Sequence, residues 1–289
     1  MPTSSINLSD QPGLSTLAKL VAAMHQASPD VRPLLVGAMA RDLLLSFAHG
    51  IRIARATQDM DFAFALDSWE GFARMRGELL VSGDFADDPR GVAHRLIFAQ
   101  NYRVDLIPFG GMEQEDRTIA WPPDHDVVMQ VVGFREAMTK AVQIQLQDDV
   151  IVDVASLPAQ AVLKLFAWRD RRAGRVGVDA GDLRLLLRHY LDAGNQERLY
   201  TDADHLLTME NYDYHRASAW LIGHDARQLL HEADDSGAMA IGALLQMFEN
   251  EIDPDGQLTL VVDMRSGDAD ADLALLTAFE AGLRDAALP

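Results

Sequence analysis

Residues 34–66 read LLVGAMARDLLLSFAHGIRIARATQDMDFAFAL, and the fold follows from how this stretch is divided. The apolar run Leu34-Leu35-Val36 stops at Gly37, after which Met39, Leu43, Leu44 and Phe47 recur at helical spacing. The pattern predicts a strand, a tight turn and a helix. From Thr57 to Phe64 polar and apolar residues alternate. A strand there sends Thr57, Asp59 and Asp61 to one face and Met60, Phe62 and Phe64 to the other. Two carboxylates then stand side by side above a buried sheet.

Like charges so placed repel unless something positive sits between them. A divalent metal does this best, and Mg²⁺ prefers carboxylate oxygens together with the phosphate oxygens of a substrate. The turn at Gly37 opens a helix whose free N–H groups and positive end suit the same phosphates. The plain alternative is that Asp59-x-Asp61 is the solvated face of an edge strand. The nearby glycine turn and Arg55-x-Thr57 weigh toward the metal.

Outward from this core, residues 13–27 place Leu14, Leu17, Leu20, Val21 and Met24 on one side of an amphipathic helix. Asp67-Ser68 opens another helix through Leu80, and residues 83–91 read as a loop. His94–Gln100 and Arg103–Phe109 form a hairpin turning at Asn101-Tyr102. Asp105 lies between Val104 and Leu106 in its second strand, where a charge is costly unless paired or bound to metal. Beside the Asp59-x-Asp61 strand it becomes a third carboxylate for the cation and a group to accept a proton from an attacking hydroxyl. The alternative is a partly exposed Asp105 paired with Arg103 or Arg95.

Residues 110–126 read as irregular, a lid or a brace, and Phe134–Lys140 as a short helix. Two more strands, Ala141–Gln147 and Val150–Val154, are separated by the turn pair Asp148-Asp149. At Ser156-Leu157-Pro158 the pattern changes to helices. Lys164, Trp168 and Arg171 or Arg172 share a face at spacings of three and four, and a second helix runs to Tyr190. Asp179 and Asp182 sit in its first turn, where capping and the helix dipole already favour acids. The expected organisation is an α+β domain over 1–155 and a helical domain over 156–289.

Composition narrows the function. The chain has 289 residues, no cysteine and a formal charge of −19. Disulfides and thiolate zinc sites are excluded, and extensive duplex DNA binding is disfavoured. No apolar run reaches membrane-spanning length and the start has no signal-peptide pattern, so a cytoplasmic protein is expected. The nine histidines form no metal-binding pair. From Thr201 onward there are eighteen Asp and Glu against four Lys and Arg, whereas Lys164 to Arg188 holds seven basic and three acidic residues. Such an island suggests phosphate held at one spot.

Gly37-Ala38 with Arg41, Arg55-x-Thr57-x-Asp59-x-Asp61, Asp105, Lys164-x-x-Ala167 with Arg171, and Asp179-x-x-Asp182-Leu183 together resemble the AbiEii/AbiGii-type nucleotidyltransferases. These are the toxin halves of bacterial abortive-infection and toxin–antitoxin systems. The resemblance implies a DNA polymerase β-like nucleotidyltransferase fold, a mixed sheet with flanking helices followed by a helical lobe. It implies Asp59 and Asp61 as Mg²⁺ ligands, beside which Asp105 is read above as the third carboxylate, and Lys164 and Arg171 as triphosphate binders. Asp179 is then a carboxylate supplied by the helical lobe, and Gly37, Ala38, Arg41, Arg55 and Thr57 lie on the nucleotide side. Ala38 lacks a hydroxyl found at this position in relatives, and Val178 replaces a frequent lysine.

The implied reaction transfers an NMP unit from an NTP to an acceptor hydroxyl, in characterised branches the acceptor end of tRNA. The alternatives are an inactive NTP-binding protein acting through a partner and nucleotidylation of a small cationic molecule such as an aminoglycoside. The acidic C-terminal stretch suits a basic partner, for which a cognate antitoxin is the implied candidate. On this reading Asp61→Asn abolishes transfer without unfolding the chain, and Lys164→Ala mainly weakens nucleotide binding.

Overall fold

Strand β3 (Asp59–Leu66) runs through the middle of the first unit of the chain, and its register places the acidic residues. In the computed structural model, residues 5–53, 59–174, 176–208, 212–232, 235–253 and 255–287 are described. The chain divides into two compact units, 1–156 and 157–289.

The first unit carries β1 (Ser5–Asn7), α1 (Ser15–Ala27), β2 (Pro33–Val36) and α2 (Gly37–Asp42), which continues as a π-helical turn over Leu43–Phe47. After β3 come α3 (Trp69–Val81), β4 (Phe85–Asp87), β5 (Arg95–Phe98) and β6 (Tyr102–Gly110). They are followed by β7 (Thr118–Ala120), β8 (Val128–Gln130), α4 (Phe134–Thr139), β9 (Val142–Gln145) and β10 (Ile151–Val154). Eight strands form one mixed sheet in the order β1-β9-β10-β2-β3-β6-β5-β4, and β7 pairs with β8 separately.

Strand β3 lies antiparallel to β2 and parallel to β6, so it is an inner strand and the edge-strand alternative for Asp59-x-Asp61 does not hold. Its alternation works as the sequence implies: Met60, Phe62 and Phe64 are buried while Asp59 and Asp61 are half-buried. Burying each such apolar side chain stabilises the sheet by roughly 1.5–3 kcal/mol, which fixes which face the aspartates take. Leu14, Leu17, Leu20, Val21 and Met24 are all buried, as the periodicity of α1 requires. Ser68 caps α3 by accepting a hydrogen bond from the Gly71 amide at 3.2 Å.

Three stretches differ from expectation. The loop over 83–91 contains β4, which pairs with β5 and sets Phe85 on Phe98 with ring centroids 5.2 Å apart. The hairpin turns through Ala99 and Gln100, both in the left-handed region at φ 46° and 66°, and Tyr102 is already paired with Phe98. The 110–126 segment differs only in containing β7; of the two expected roles it takes that of a brace on α3, with Trp121 packed on Trp69 and Phe72 at 5.2 and 5.6 Å.

The second unit is helical: α5 (Leu157–Arg171), α6 (Val178–His189), α7 (Tyr214–His231), α8 (Asp235–Glu251), α9 (Thr259–Met264) and α10 (Ala269–Arg284). Leu165, Leu183, Leu186, Leu187, Ile222 and Leu276 are completely buried in its own core. Among the described residues, no helix is long and apolar enough to cross a membrane.

Candidate active site

The acidic face of the first unit is built by register. Asp61 is the neighbour of Asp105 across the parallel β3–β6 pairing, and Asp59 is the neighbour of Arg103. In-register residues on adjacent strands share a face, so three carboxylates stand together there. On the other side of β3, Val36 is paired with Asp61, and the chain turns at Gly37 into α2. Gly37 adopts φ +71°, a left-handed conformation that a side chain makes unfavourable. A Cβ at Gly37 would collide with Oδ2 of Asp61 and lie 3.1 Å from its Cγ. The bare glycine therefore makes room for the Asp61 carboxylate beside the start of α2, where no side chain caps the helix.

The two other carboxylates are held by arginines. Arg95 meets both oxygens of Asp105, Nε on Oδ1 and a terminal nitrogen on Oδ2, each at 2.6 Å. These hydrogen bonds hold the Arg95 guanidinium above its usual range, with the nearby charges of Asp105 and Asp59 acting the same way. Arg103 approaches Asp59 at 3.7 Å. Next to Arg95, His94 lies 5.1 Å from the Trp121 ring, and burial pushes its imidazole below the ordinary histidine value. Arg41, one turn into α2, is only 1% exposed and donates to Oδ1 of Asp42 at 2.9 and 2.6 Å.

Asp59 and Asp61 offer hard oxygen donors on adjacent same-face positions with Asp105 alongside, a donor set that suits Mg²⁺. Among the described residues, no group of three His, Asp or Glu side chains is placed to hold a metal ion together, so Asp59, Asp61 and Asp105 do not converge as a three-carboxylate ligand set.

The second unit gathers a different cluster. Lys164, 9% exposed, donates from Nζ to Oδ1 of Asp179 at 2.9 Å and to Oδ2 of Asp182 at 2.6 Å. Arg171 reaches both oxygens of Asp179 at 3.3 Å. Deeper along α5, Trp168 donates from its indole to Asp263 at 2.8 Å, and Arg172 lies over the Trp168 ring at 5.4 Å. The helical spacing brought Lys164, Trp168, Arg171 and Arg172 to related positions, and acidic side chains answer each charge.

Residues 21–282 match the family model described as nucleotidyl transferase AbiEii toxin, type IV TA system. The chain belongs to the AbiEii family. It is a nucleotidyltransferase with the mixed α/β architecture described above. Among solved structures, the antibiotic-resistance factor ANT(2'')-Ia is similar at 13% identity over 68% of this chain and 99% of that one, with a TM-score of 0.34. A CCA-adding enzyme in complex with ATP is similar at 13% identity over 95% of this chain and 82% of that one, with a TM-score of 0.23. No protein of curated function matches the sequence.

Set against the AbiEii motifs, Asp59, Asp61 and Asp105 share one face with Gly37 against Asp61, and Ala38 follows in the first turn of α2. Lys164, Arg171 and Asp179 meet in one ion-pair cluster. Arg55 and Thr57 lie outside the described residues. In the sequence Asp182 is a first-turn acid and a member of the Asp179-x-x-Asp182-Leu183 motif, with no role assigned to it; in the structure it makes the shorter of the two bonds to Lys164. Its signal was the Asp179-x-x-Asp182 spacing, which puts both carboxylates on one side of α6. The fork of Arg95 on Asp105 was one of two open pairings, and only the hairpin register distinguishes them.

Proposed function

We propose that this AbiEii-family enzyme moves an NMP unit from an NTP to an acceptor hydroxyl at an RNA end, the tRNA acceptor end in the first instance, acting in the cytoplasm as a toxin. The observation that carries the reading is the placement of Asp59 and Asp61 on one face of an inner strand, with the Gly37 backbone clearing space for Asp61. Asp59 and Asp61 would hold Mg²⁺, which when bound neutralises phosphate charge and makes the acceptor hydroxyl more acidic.

The acceptor oxygen forms its bond to the α-phosphorus while the bond to the bridging β-phosphate oxygen breaks. Pyrophosphate leaves with that electron pair. The hydroxyl proton passes to Asp105, whose oxygens each keep a lone pair beyond the one used by Arg95. For the helical unit we propose Lys164 and Arg171 as triphosphate-facing charges and Asp179 as the carboxylate that holds them ready. Engaging phosphate means exchanging an aspartate partner for a phosphate oxygen. The family's type IV toxin–antitoxin setting supports an antitoxin partner, and the eighteen-to-four acidic excess after Thr201 favours one that is basic.

The test is label transfer from each of the four α-labelled NTPs to small RNA and to a panel of aminoglycosides, with Mg²⁺ or with EDTA. Asp59→Ala/Asp61→Ala serves as the control. Label in RNA that requires Mg²⁺ and disappears in the control is the expected result. Label in the aminoglycosides alone would replace RNA by a small cationic acceptor. Failure to label any acceptor, together with failure to bind NTP, would overturn the reading.

A further inference from the structure

Among the described residues, Arg95 and Arg103 both meet these carboxylates, and they hold them differently. In the antiparallel β5–β6 pairing Arg95 is the register partner of Asp105, so both side chains leave the same face of the sheet. Their contact is two-pointed at 2.6 Å, and the side chains are only 13% and 16% exposed. Arg103 approaches Asp59 only at 3.7 Å, with side chains 50% and 41% exposed. A buried bidentate fork is strong and directional, whereas a single exposed contact at that length is weak. A cation arriving at β3 can displace Arg103 from Asp59 at little cost. To reach Asp105 it must break the fork.

We propose that Arg95 is a positioning residue that withholds Asp105 from the metal and turns it toward the acceptor hydroxyl, so that Asp59 and Asp61 alone bind the ion. The proposal rests on the nucleotidyl-transfer reading above, and it divides three similar carboxylates into two ligands and one group reserved for the acceptor. The division follows from the sheet. β6 places Asp105 between Asp61 on one neighbouring strand and Arg95 on the other, and the fork draws its carboxylate toward β5. Arg103 is then a replaceable counter-ion of Asp59.

The experiment measures binding of Mn²⁺ alone to the full chain, by the EPR signal of free ion, alongside kcat and KM for NTP. Asp105→Asn is expected to leave Mn²⁺ affinity within about twofold while lowering kcat by about a hundredfold. Arg95→Met releases Asp105 and is expected to tighten Mn²⁺ by about tenfold, with kcat reduced and KM for NTP unchanged. Arg95→Lys keeps the charge and loses the fork, so it is expected not to rescue kcat. Arg103→Met removes the same charge without freeing a second carboxylate and is expected to tighten Mn²⁺ less than Arg95→Met.

Tenfold or greater loss of Mn²⁺ binding in Asp105→Asn would make Asp105 a ligand and overturn the proposal. So would equal tightening in the two Arg→Met variants, which would reduce the effect to net charge. Should Arg95→Met fail to fold, the Asp105→Asn result decides alone. Absence of any wild-type Mn²⁺ binding sensitive to Asp59→Ala/Asp61→Ala would instead sink the metal site itself.

Discussion

Gly37 shows how much one residue decides. Its φ of +71° and the collision a Cβ would make with the Asp61 carboxylate are separate penalties, one on the backbone and one on the site. Gly37→Ala is therefore expected to cost about 1–3 kcal/mol from the left-handed backbone. It should also abolish transfer even where the chain remains folded, because Asp61 must move. Urea midpoints and label transfer on the same preparation separate the two effects. Lys164 carries the opposite lesson. From sequence it is a cation for the triphosphate, so its removal should mainly weaken nucleotide binding. In the structure its ammonium lies buried between Asp179 and Asp182. Removing one partner of a buried ion pair costs about 3–5 kcal/mol, so Lys164→Ala is expected to lower the urea midpoint strongly, and adding Asp182→Asn should recover part of the loss. A midpoint unchanged in Lys164→Ala would return Lys164 to a purely ligand-facing role.

At the scale of elements, legibility followed the range of the interaction. The β2–turn–α2–β3 segment could be read because periodicity, a glycine and an alternating strand all act within about thirty residues. The hairpin was found, but a turn placed at Asn101-Tyr102 pairs Asp105 with Phe98. The turn through Ala99 and Gln100 pairs it with Arg95. Arg95 is one of the two partners the sequence offers Asp105, but the turn position expected there would have set Asp105 opposite Phe98, because alanine and glutamine carry no turn signature. Helices α7 and α10 were not legible in the same way. Gly223 and Gly282, mid-helix residues that count against helix by propensity, lie where the two backbones touch. A Cβ on Gly223 would strike the Phe279 carbonyl oxygen, and one on Gly282 would strike the Trp220 carbonyl oxygen and lie 2.8 Å from the His224 amide nitrogen. Gly223→Ala and Gly282→Ala are each expected to destabilise by about 1–3 kcal/mol through overpacking. Gly242→Ala in α8, where a Cβ meets nothing within 4 Å, is expected to be neutral or to stabilise by about 0.4–1 kcal/mol. Denaturation of the three variants side by side distinguishes close approach from propensity.

Over the whole molecule, charge is the property that composition reveals and pairing rearranges. The basic stretch from Lys164 to Arg188 looked like a phosphate-binding island, yet Lys164 is held by Asp179 and Asp182, Arg172 approaches Asp263, and Arg184 meets Asp272 at 2.6 Å. Two of those acids lie some ninety residues further on, beyond what local spacing can show. With the island largely answered from within, the net charge of −19 sets the long-range field. A polyanionic RNA acceptor approaches against that field, and a cationic acceptor approaches with it. The Debye length shrinks from about 30 Å to about 10 Å as ionic strength rises from about 0.01 M to about 0.1 M, so salt removes this long-range part while leaving contacts inside the site nearly untouched. At fixed free Mg²⁺, KM for an RNA acceptor is therefore expected to fall as NaCl is added over this range, with kcat little changed, and KM for an aminoglycoside is expected to rise. The sign of the slope, measured for whichever acceptor takes label, reports how that acceptor is met. RNA bound more weakly as salt increases would mean that it docks on a basic surface strong enough to outweigh the field of the whole chain.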